Sequence, residues 1–267
     1  MNKLCIVCNP QDSSMYRHPN HRKDKPDDPR WNMPRFLERV EKEIPTVAIT
    51  APQNPPPGSK VVWFALPDPQ PVKVERQYEV WNRVAKCPHI INHPSLTYMT
   101  KQLWFYFLNA RGIRAPMPNH MSLFKKTEYH GHGPEFGCEY ITSVGANPTN
   151  DTKIPNASKF YKVWRMVVFN GKCADMCARL EGRDFWVGTG CAQHFKDMWK
   201  TPPQYKVISE KVAAVSGLGY FHIEIIPSPW VGPVVCDVCP HPFDVMECRL
   251  NDAILEYTVA TIKEWLK

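Results

Sequence analysis

Two short apolar runs near the C-terminus each carry a single acid. Residues 220–226 carry Glu224, and residues 234–239 carry Asp237. The Pro- and Gly-bearing segment 227–233 reads as a tight connection, so the pair reads as a β-hairpin. Centred on Trp230 and Val231, the hairpin sets Glu224 directly opposite Asp237. Side chains alternate along a strand, so both acids then share one face. Like charges facing each other across strands are destabilising. A cation is therefore expected between them, or one acid holds a proton. Two carboxylates suit Mg²⁺, whose shell substrate phosphates usually complete. The bland alternative is a different register, with one acid facing water.

The cysteines are a second candidate chemistry. Cys5/Cys8 and Cys236/Cys239 are C-x-x-C pairs, and Cys191 with His194 adds a C-x-x-H. A zinc knuckle needs a turn that makes both thiols converge. Both C-x-x-C pairs lie in strand-like runs, where positions i and i+3 point to opposite faces. Buried, reduced thiols are the expectation for the ten cysteines. His130, His132 and His194 have no neighbours that fix a geometry and are read as surface histidines.

Composition bounds the rest. The 267 residues are 43% hydrophobic and 22% charged, ordinary values for one large or two small globular domains. No run is long and apolar enough for a transmembrane helix. The first ten residues read as a buried strand rather than a signal peptide, so a cytoplasmic protein is expected. The formal charge is +7, with a modest basic cluster over 17–30. No aromatic-flanked basic repeat accompanies it, which argues against nucleic acid as a partner.

The elements that must position these residues follow from periodicity. A first strand, a helix near 34–44, and short strands at 46–49 and 61–66 alternate as in an α/β layer. Residues 77–84 also read as helical. Residues 96–112 read as a helix capped at Thr97 or Thr100, with Leu103, Phe107 and Ala110 on its apolar face and Gly112 closing it. A strand ends at Lys125 and Lys126, a Gly-rich stretch follows, and another strand begins at Cys138. Segments 161–169 and 172–179 flank Asn170-Gly171, the strongest short hairpin signal. A helix over 204–216 closed by Gly217 and an amphipathic helix over 251–267 complete the order.

This order resembles the ATP-grasp fold, over roughly residues 92–242. The similar segments are Asn92-His93-Pro94, Lys101 opening a helix, and the exit Gly112-Ile113-Arg114-Ala115-Pro116. The Arg165-bearing hairpin strand, Ser216-Gly217-Leu218-Gly219 leading to Glu224, and Val235-Cys236-Asp237-Val238-Cys239-Pro240 continue the likeness. The resemblance implies an N-terminal α/β domain over 1–95 and an ATP-grasp-like nucleotide-binding domain over 96–267. It implies that Lys101 and Lys125 or Lys126 contact phosphate, and that Glu139, Tyr140 and Ile141 form the hinge that meets adenine. Glu224 and Asp237 would hold Mg²⁺, and Arg165 and Arg179 would stabilise an acyl phosphate. Bland readings stand beside these: Lys101 as a solvated first-turn lysine, Glu139–Ile141 as a core strand, Arg165 on a solvent face. Three departures are visible: the two metal acids are swapped in type relative to the family, Cys239 stands where the family has Asn, and the segment between Lys126 and Glu139 is short for the family's small subdomain.

The implied activity is ATP- and Mg²⁺-dependent ligation of a carboxylate to an amine through an acyl phosphate, with small-molecule or peptide substrates. The alternative is a degenerate ATP-grasp-like protein that binds a ligand or partner without turnover.

Overall fold

The protein is described by a computed structural model covering residues 4–7, 32–44, 48–50, 58–63, 82, 86–87, 89–92, 96, 99–118, 124–127, 139–143, 163–180, 198–228, 232–240 and 251–267. The expected helix at 77–84 falls almost entirely outside them.

The chain opens with β1 (Leu4–Val7), α1 (Asn32–Glu43), β2 (Ala48–Thr50), β3 (Lys60–Trp63) and β4 (His89–Ile91). These strands form a parallel sheet in the order β2-β1-β3-β4. Parallel strands covered on both faces read as continuous apolar runs. Leu4, Cys5, Ile6, Val61 and Val62 are accordingly all buried.

Next comes α2 (Lys101–Ala110), whose N-cap Thr100 accepts the Leu103 amide. Gly112, at φ 70°, gives its N–H to Asn109, and Ile113 gives its own to Leu108. This is the paired carbonyl capping that ends many helices. The buried stripe of α2 is Lys101, Trp104, Phe105 and Leu108, while Leu103 is 54% exposed and Ala110 is exposed. The expected stripe of Leu103, Phe107 and Ala110 is therefore corrected at Leu103 and Ala110, while Phe107 packs partly buried against the same cluster. The segment is apolar on more than one side, so spacing alone does not choose a face. The stripe that buries Trp104 and Phe105 removes more apolar surface from water and wins.

A small antiparallel sheet follows, in the order β5-β7-β6, from β5 (Met117–Pro118), β6 (Phe124–Thr127) and β7 (Glu139–Ser143). The large sheet is antiparallel, in the order β11-β10-β8-β12-β13 with β9 also on β8. Its strands are β8 (Val163–Phe169), β9 (Lys172–Cys173), β10 (Met176–Leu180), β11 (Met198–Lys200), β12 (Tyr220–Ser228) and β13 (Gly232–Cys239). Asn170 and Gly171 both have positive φ, 48° and 79°, as the expected two-residue turn requires. The helix α3 (Pro203–Ser216) precedes β12 and ends at Gly217, φ 72°. The final helix is α4 (Asn251–Leu266).

Two apolar clusters use opposite faces of the large sheet. Met166, Val168, Phe221, Ile223 and Ile225 pack with Trp104, Phe105 and Leu108 of α2 and with Tyr205 and Val212 of α3. Val167, Phe169 and Tyr220 pack with Leu4, Ile6 and Val62 of the parallel sheet, Phe36 and Val40 of α1, and Val259 and Ile262 of α4. The C-terminal helix is thus built into the N-terminal layer. Lys60 donates to the Trp265 carbonyl at 2.8 Å, and Lys263 lies 3.3 Å from Glu43.

Asn92 joins the layers. It is buried at φ 61°, a left-handed conformation Asn tolerates. Its side-chain oxygen accepts from Gly219 (3.1 Å) and Tyr220 (2.9 Å). Its amide nitrogen donates to the carbonyls of Tyr220 and Pro240, the latter at 2.7 Å. The end of the parallel sheet is thereby clipped to the start of β12 and the end of β13. Close beside it, a Cβ on Gly219 would lie 2.9 Å from Ile91 Cγ2.

Candidate functional site

Glu224 pairs with Asp237 across β12 and β13, so the two acids are adjacent and share a face as expected. The route to that register differs from the symmetrical hairpin. Ser228 pairs with Gly232 and Ile225 with Val235, a register that alone would set Glu224 opposite Cys236. An irregularity between Glu224 and Ile225 makes Cys236 the extra residue and restores Glu224 opposite Asp237. A β-bulge re-aims side chains in this way. The Cys236 sulfur then lies 4.0 Å from Glu224 Oε2. Cys239 pairs with His222, two residues from Glu224 and on its face. The expectation that Cys236 and Cys239 point to opposite faces is corrected, because the bulge reverses the alternation between them.

On its other side β12 pairs with β8, which sets Arg165 opposite Glu224. The row across the sheet reads Asp237, Glu224, Arg165, Ala178. Arg165 Nε and Nη2 both donate to Glu224 Oε1, at 2.9 and 2.5 Å. The side chains are 4% and 8% exposed. A buried carboxylate needs a partner, and Glu224 has this guanidinium; Arg165 lies on the β8 side of Glu224 and not between the two acids, where a cation is expected. The reading of Arg165 on a solvent face is thereby excluded. Asp237 is only half-buried.

Arg179 is not in this row. It pairs with Trp164, one register step from the Ala178–Arg165 pair, so Arg165 and Arg179 point to opposite faces. Its guanidinium lies 3.5 Å from the centre of the Trp199 ring and 5.3 Å from that of Trp164. Stacking of this kind is a favoured environment for arginine. Both arms of one hairpin carry an arginine, but strand alternation decides which face each reaches.

Lys101 is buried, with 6% of its surface exposed, rather than solvated. It lies on the stripe of α2 that also carries Trp104, Phe105 and Leu108, residues that pack on the sheet face opposite the acid row. Backbone pairing sets Lys125 opposite Ile141, Lys126 opposite Tyr140 and Thr127 opposite Glu139. Strand β5 pairs only with Thr142 and Ser143, so among the described residues Glu139, Tyr140 and Ile141 are paired on one backbone edge only. The Gly-rich stretch with His130 and His132, and also Cys8, Cys191 and His194, lie outside the described residues.

Cys5, Cys87, Cys173, Cys177, Cys236 and Cys239 are buried free thiols. Burial pushes Cys173 up to about 12 and Cys177 up to about 11, so both stay protonated at neutral pH. Among the described residues no three His, Cys, Asp or Glu side chains are grouped to hold a metal by themselves. What the site offers a divalent cation is two adjacent carboxylates. That fits Mg²⁺, which completes its shell with water and substrate phosphate. Cys239, a soft thiol, suits it poorly. A separate cavity of about 530 Å³ is lined by His89, Asn170, Glu210, Leu218 and Trp265 and contains none of the acid row. No described helix is long and apolar enough to cross a membrane.

Sequence comparison offers no family: no protein-family model matches the chain, and no curated protein matches it. Solved structures do. The ATP-grasp ligase PsnB, complexed with minimal precursor, Mg and ADP, matches with a TM-score of 0.58 at 11% identity over 98% of each chain. D-cycloserine synthetase DcsG matches at 0.54 and 13% identity, over 98% of this chain and 99% of its own. A RiPP-associated ATP-grasp ligase from Chryseobacterium gregarium, in complex with ADP and a leader and core peptide, matches at 0.53 and 10% identity over 96% of each chain. The chain has the ATP-grasp fold, with an α+β architecture. The match runs from the N-terminal layer through the C-terminal helix.

Proposed function

We propose that this chain is an ATP- and Mg²⁺-dependent ligase that joins a carboxylate to an amine through an acyl phosphate. The observation that carries the reading is the row of Arg165, Glu224 and Asp237 on one face of the central sheet, within a fold that ATP-grasp ligases share end to end. Two neighbouring acids and an arginine suit a polyanion that arrives with its own cation.

In this reading Asp237, with Glu224 beside it, faces the metal. Bound Mg²⁺ would screen the phosphate oxygens from the acids and from one another. Arg165 presents a planar fork of donors to the anionic oxygens of the transferring phosphoryl group and acyl phosphate. The backbone of Glu139, Tyr140 and Ile141, paired on one edge only among the described residues, is the candidate seat for adenine, and Lys125 and Lys126 on the paired strand are candidates for phosphate. Lys101 would reach phosphate only from the far side of the sheet, so it contributes least. Arg179 serves another face. The protein's work is to hold carboxylate, phosphoryl donor and amine in line. Because PsnB was solved with a precursor peptide and the C. gregarium ligase with a leader and core peptide, peptide carboxylates and amines are the first substrates to test.

The experiment is direct. Purified chain is given Mg²⁺-ATP with pooled carboxylate and amine candidates, peptides included, and ADP release is followed. Release that needs both substrates and Mg²⁺ supports ligation. Nucleotide binding with no release under any substrate pair supports the second reading, a binding protein without turnover. That reading draws on Cys239, two residues from Asp237 on the same strand and paired with His222, and on the Arg165–Glu224 pair.

A further inference from the structure

We propose that the cavity of about 530 Å³ between α3, the β8–β9 turn and the ends of β4 and α4 binds a small organic cation, an ammonium group carried on an apolar body. The proposal does not rest on the reading of the acid row as a Mg²⁺-nucleotide site. Gly219 at the cavity and Glu224 in the row are five residues apart along extended chain, roughly 16 Å.

The sequence of α3 shapes one wall. Glu210, Ala213, Ala214 and Gly217 fall at i, i+3, i+4 and i+7, so they share one stripe of the helix and its cap, and all four line the cavity. Three small residues after an acid leave room for a ligand beside a carboxylate. Glu210 Oε1 accepts the Cys173 amide at 3.2 Å, and Oε2 has no hydrogen bond or ion pair among the described residues. The neighbouring lysines are engaged elsewhere. Lys206 pairs with Asp175 at 2.7 Å, Lys172 with Glu264 at 3.6 Å, and Lys60 donates to the Trp265 carbonyl at 2.8 Å. The end of α3 adds to the negative potential. Ala213 accepts the Gly217 amide, but the carbonyls of Ala214, Val215 and Ser216 receive no backbone hydrogen bond among the described residues. A cation is favoured at such a helix C-terminus.

Ile90, Ile91, Leu218 and Trp265 supply apolar wall for the ligand's body. A pocket of this size with a few convergent polar groups suits a small molecule. Lys60 lies beside His89 across β3 and β4, with its ammonium 5.3 Å from the centre of the Trp265 ring. The Trp265 end of the cavity is therefore the less negative one, and the ligand's ammonium belongs at the α3 end, on Glu210.

The test is calorimetric titration of the full chain at neutral pH with three probes of one shape: phenethylamine, phenethyl alcohol and hydrocinnamate. Wild type should bind phenethylamine saturably at one site, and the neutral and anionic probes about tenfold more weakly or worse, since each lacks the charge-assisted bond to Glu210. E210Q keeps an acceptor for the Cys173 amide and removes the charge. It should weaken phenethylamine by about tenfold and leave phenethyl alcohol unchanged, a split that a merely structural defect does not produce. A214F puts a large side chain at an exposed position of the wall and should abolish saturable binding, so it carries the test if E210Q does not fold. Added Mg²⁺-ADP should displace nothing. No saturable binding of phenethylamine to wild type, equal or tighter binding of the alcohol or of hydrocinnamate, or wild-type affinity in folded E210Q or A214F overturns the proposal. Displacement by Mg²⁺-ADP overturns it as well, and leaves the ligase reading in place.

Discussion

Four residues separate two buried polar arrangements on β12. At Tyr220 the backbone is gripped by the Asn92 side chain, and at Glu224 the side chain grips Arg165. The Asn92 arrangement is neutral, and its four bonds all run to main-chain groups. Every donor and acceptor of that amide is used, which leaves nothing for a ligand. The Glu224 arrangement is charged, runs side chain to side chain, and lies beside a second acid. A satisfied neutral clip specifies how layers join. A charged row with an acid at its edge still has chemistry to offer. Burial alone does not set the two arrangements apart; the partner type does.

The sharpest way to break this comparison is to remove one charge. R165M should destabilise the fold by about 3–5 kcal/mol, since it strands a buried carboxylate, and R165M/E224M should recover most of that loss. Denaturant unfolding of the three proteins checks it. Equal stability of R165M and the double variant would mean the pair is not a unit. N92A should come next, at roughly 3 kcal/mol, because two backbone amides and two carbonyls lose their partner. If the clip is only structural, the Mg²⁺ dependence of nucleotide binding in folded N92A stays as in wild type.

G219A should cost about 1–3 kcal/mol, because its new Cβ meets Ile91 Cγ2 at 2.9 Å. I91A/G219A should be less destabilised than the sum of its single variants.

The smallest effect is at Glu43, which takes a hydrogen bond from Arg39 and lies near Lys263 of α4. Chiefly through the Arg39 bond, its carboxyl is held below the ordinary 4.5. A lowered folded value stabilises above the unfolded value and is lost as pH falls through the folded one. E43Q should therefore differ from wild type by at most about 0.5 kcal/mol at pH 7. The difference should vanish as pH falls below 4.5.

What could be read in advance follows the range of the interactions. The Asn170-Gly171 turn and the Gly217 cap are local, and turn chemistry is enough for each; the facing of Glu224 and Asp237 agrees with the expectation but is reached only through a bulge. Even there the route was hidden. The bulge at Cys236 leaves no composition signal, yet it sets the acid register and turns both thiols to one side. Arg165 stood out as a charge in an apolar strand. That Glu224 would be its partner required knowing that β8 lies beside β12, a choice made by the whole sheet. The face that Arg179 takes is hidden for the same reason: two arms of one hairpin do not by themselves say which face each side chain takes. The Asn92 clip spans 128 and 148 residues to its carbonyl partners. Its only local trace was an Asn before a Pro-bearing turn.

The central claim is that the acid row is a metal-nucleotide site, and calorimetric titration of ADP with and without Mg²⁺, on wild type and D237N, tests it most directly. Wild type should bind ADP more tightly with Mg²⁺, and the complex should be stabilised by about 2.7 kcal/mol at a hundredfold excess over Kd. D237N should bind ADP with little response to Mg²⁺. Wild-type binding that is indifferent to Mg²⁺, or no binding at millimolar ADP, would contradict the account.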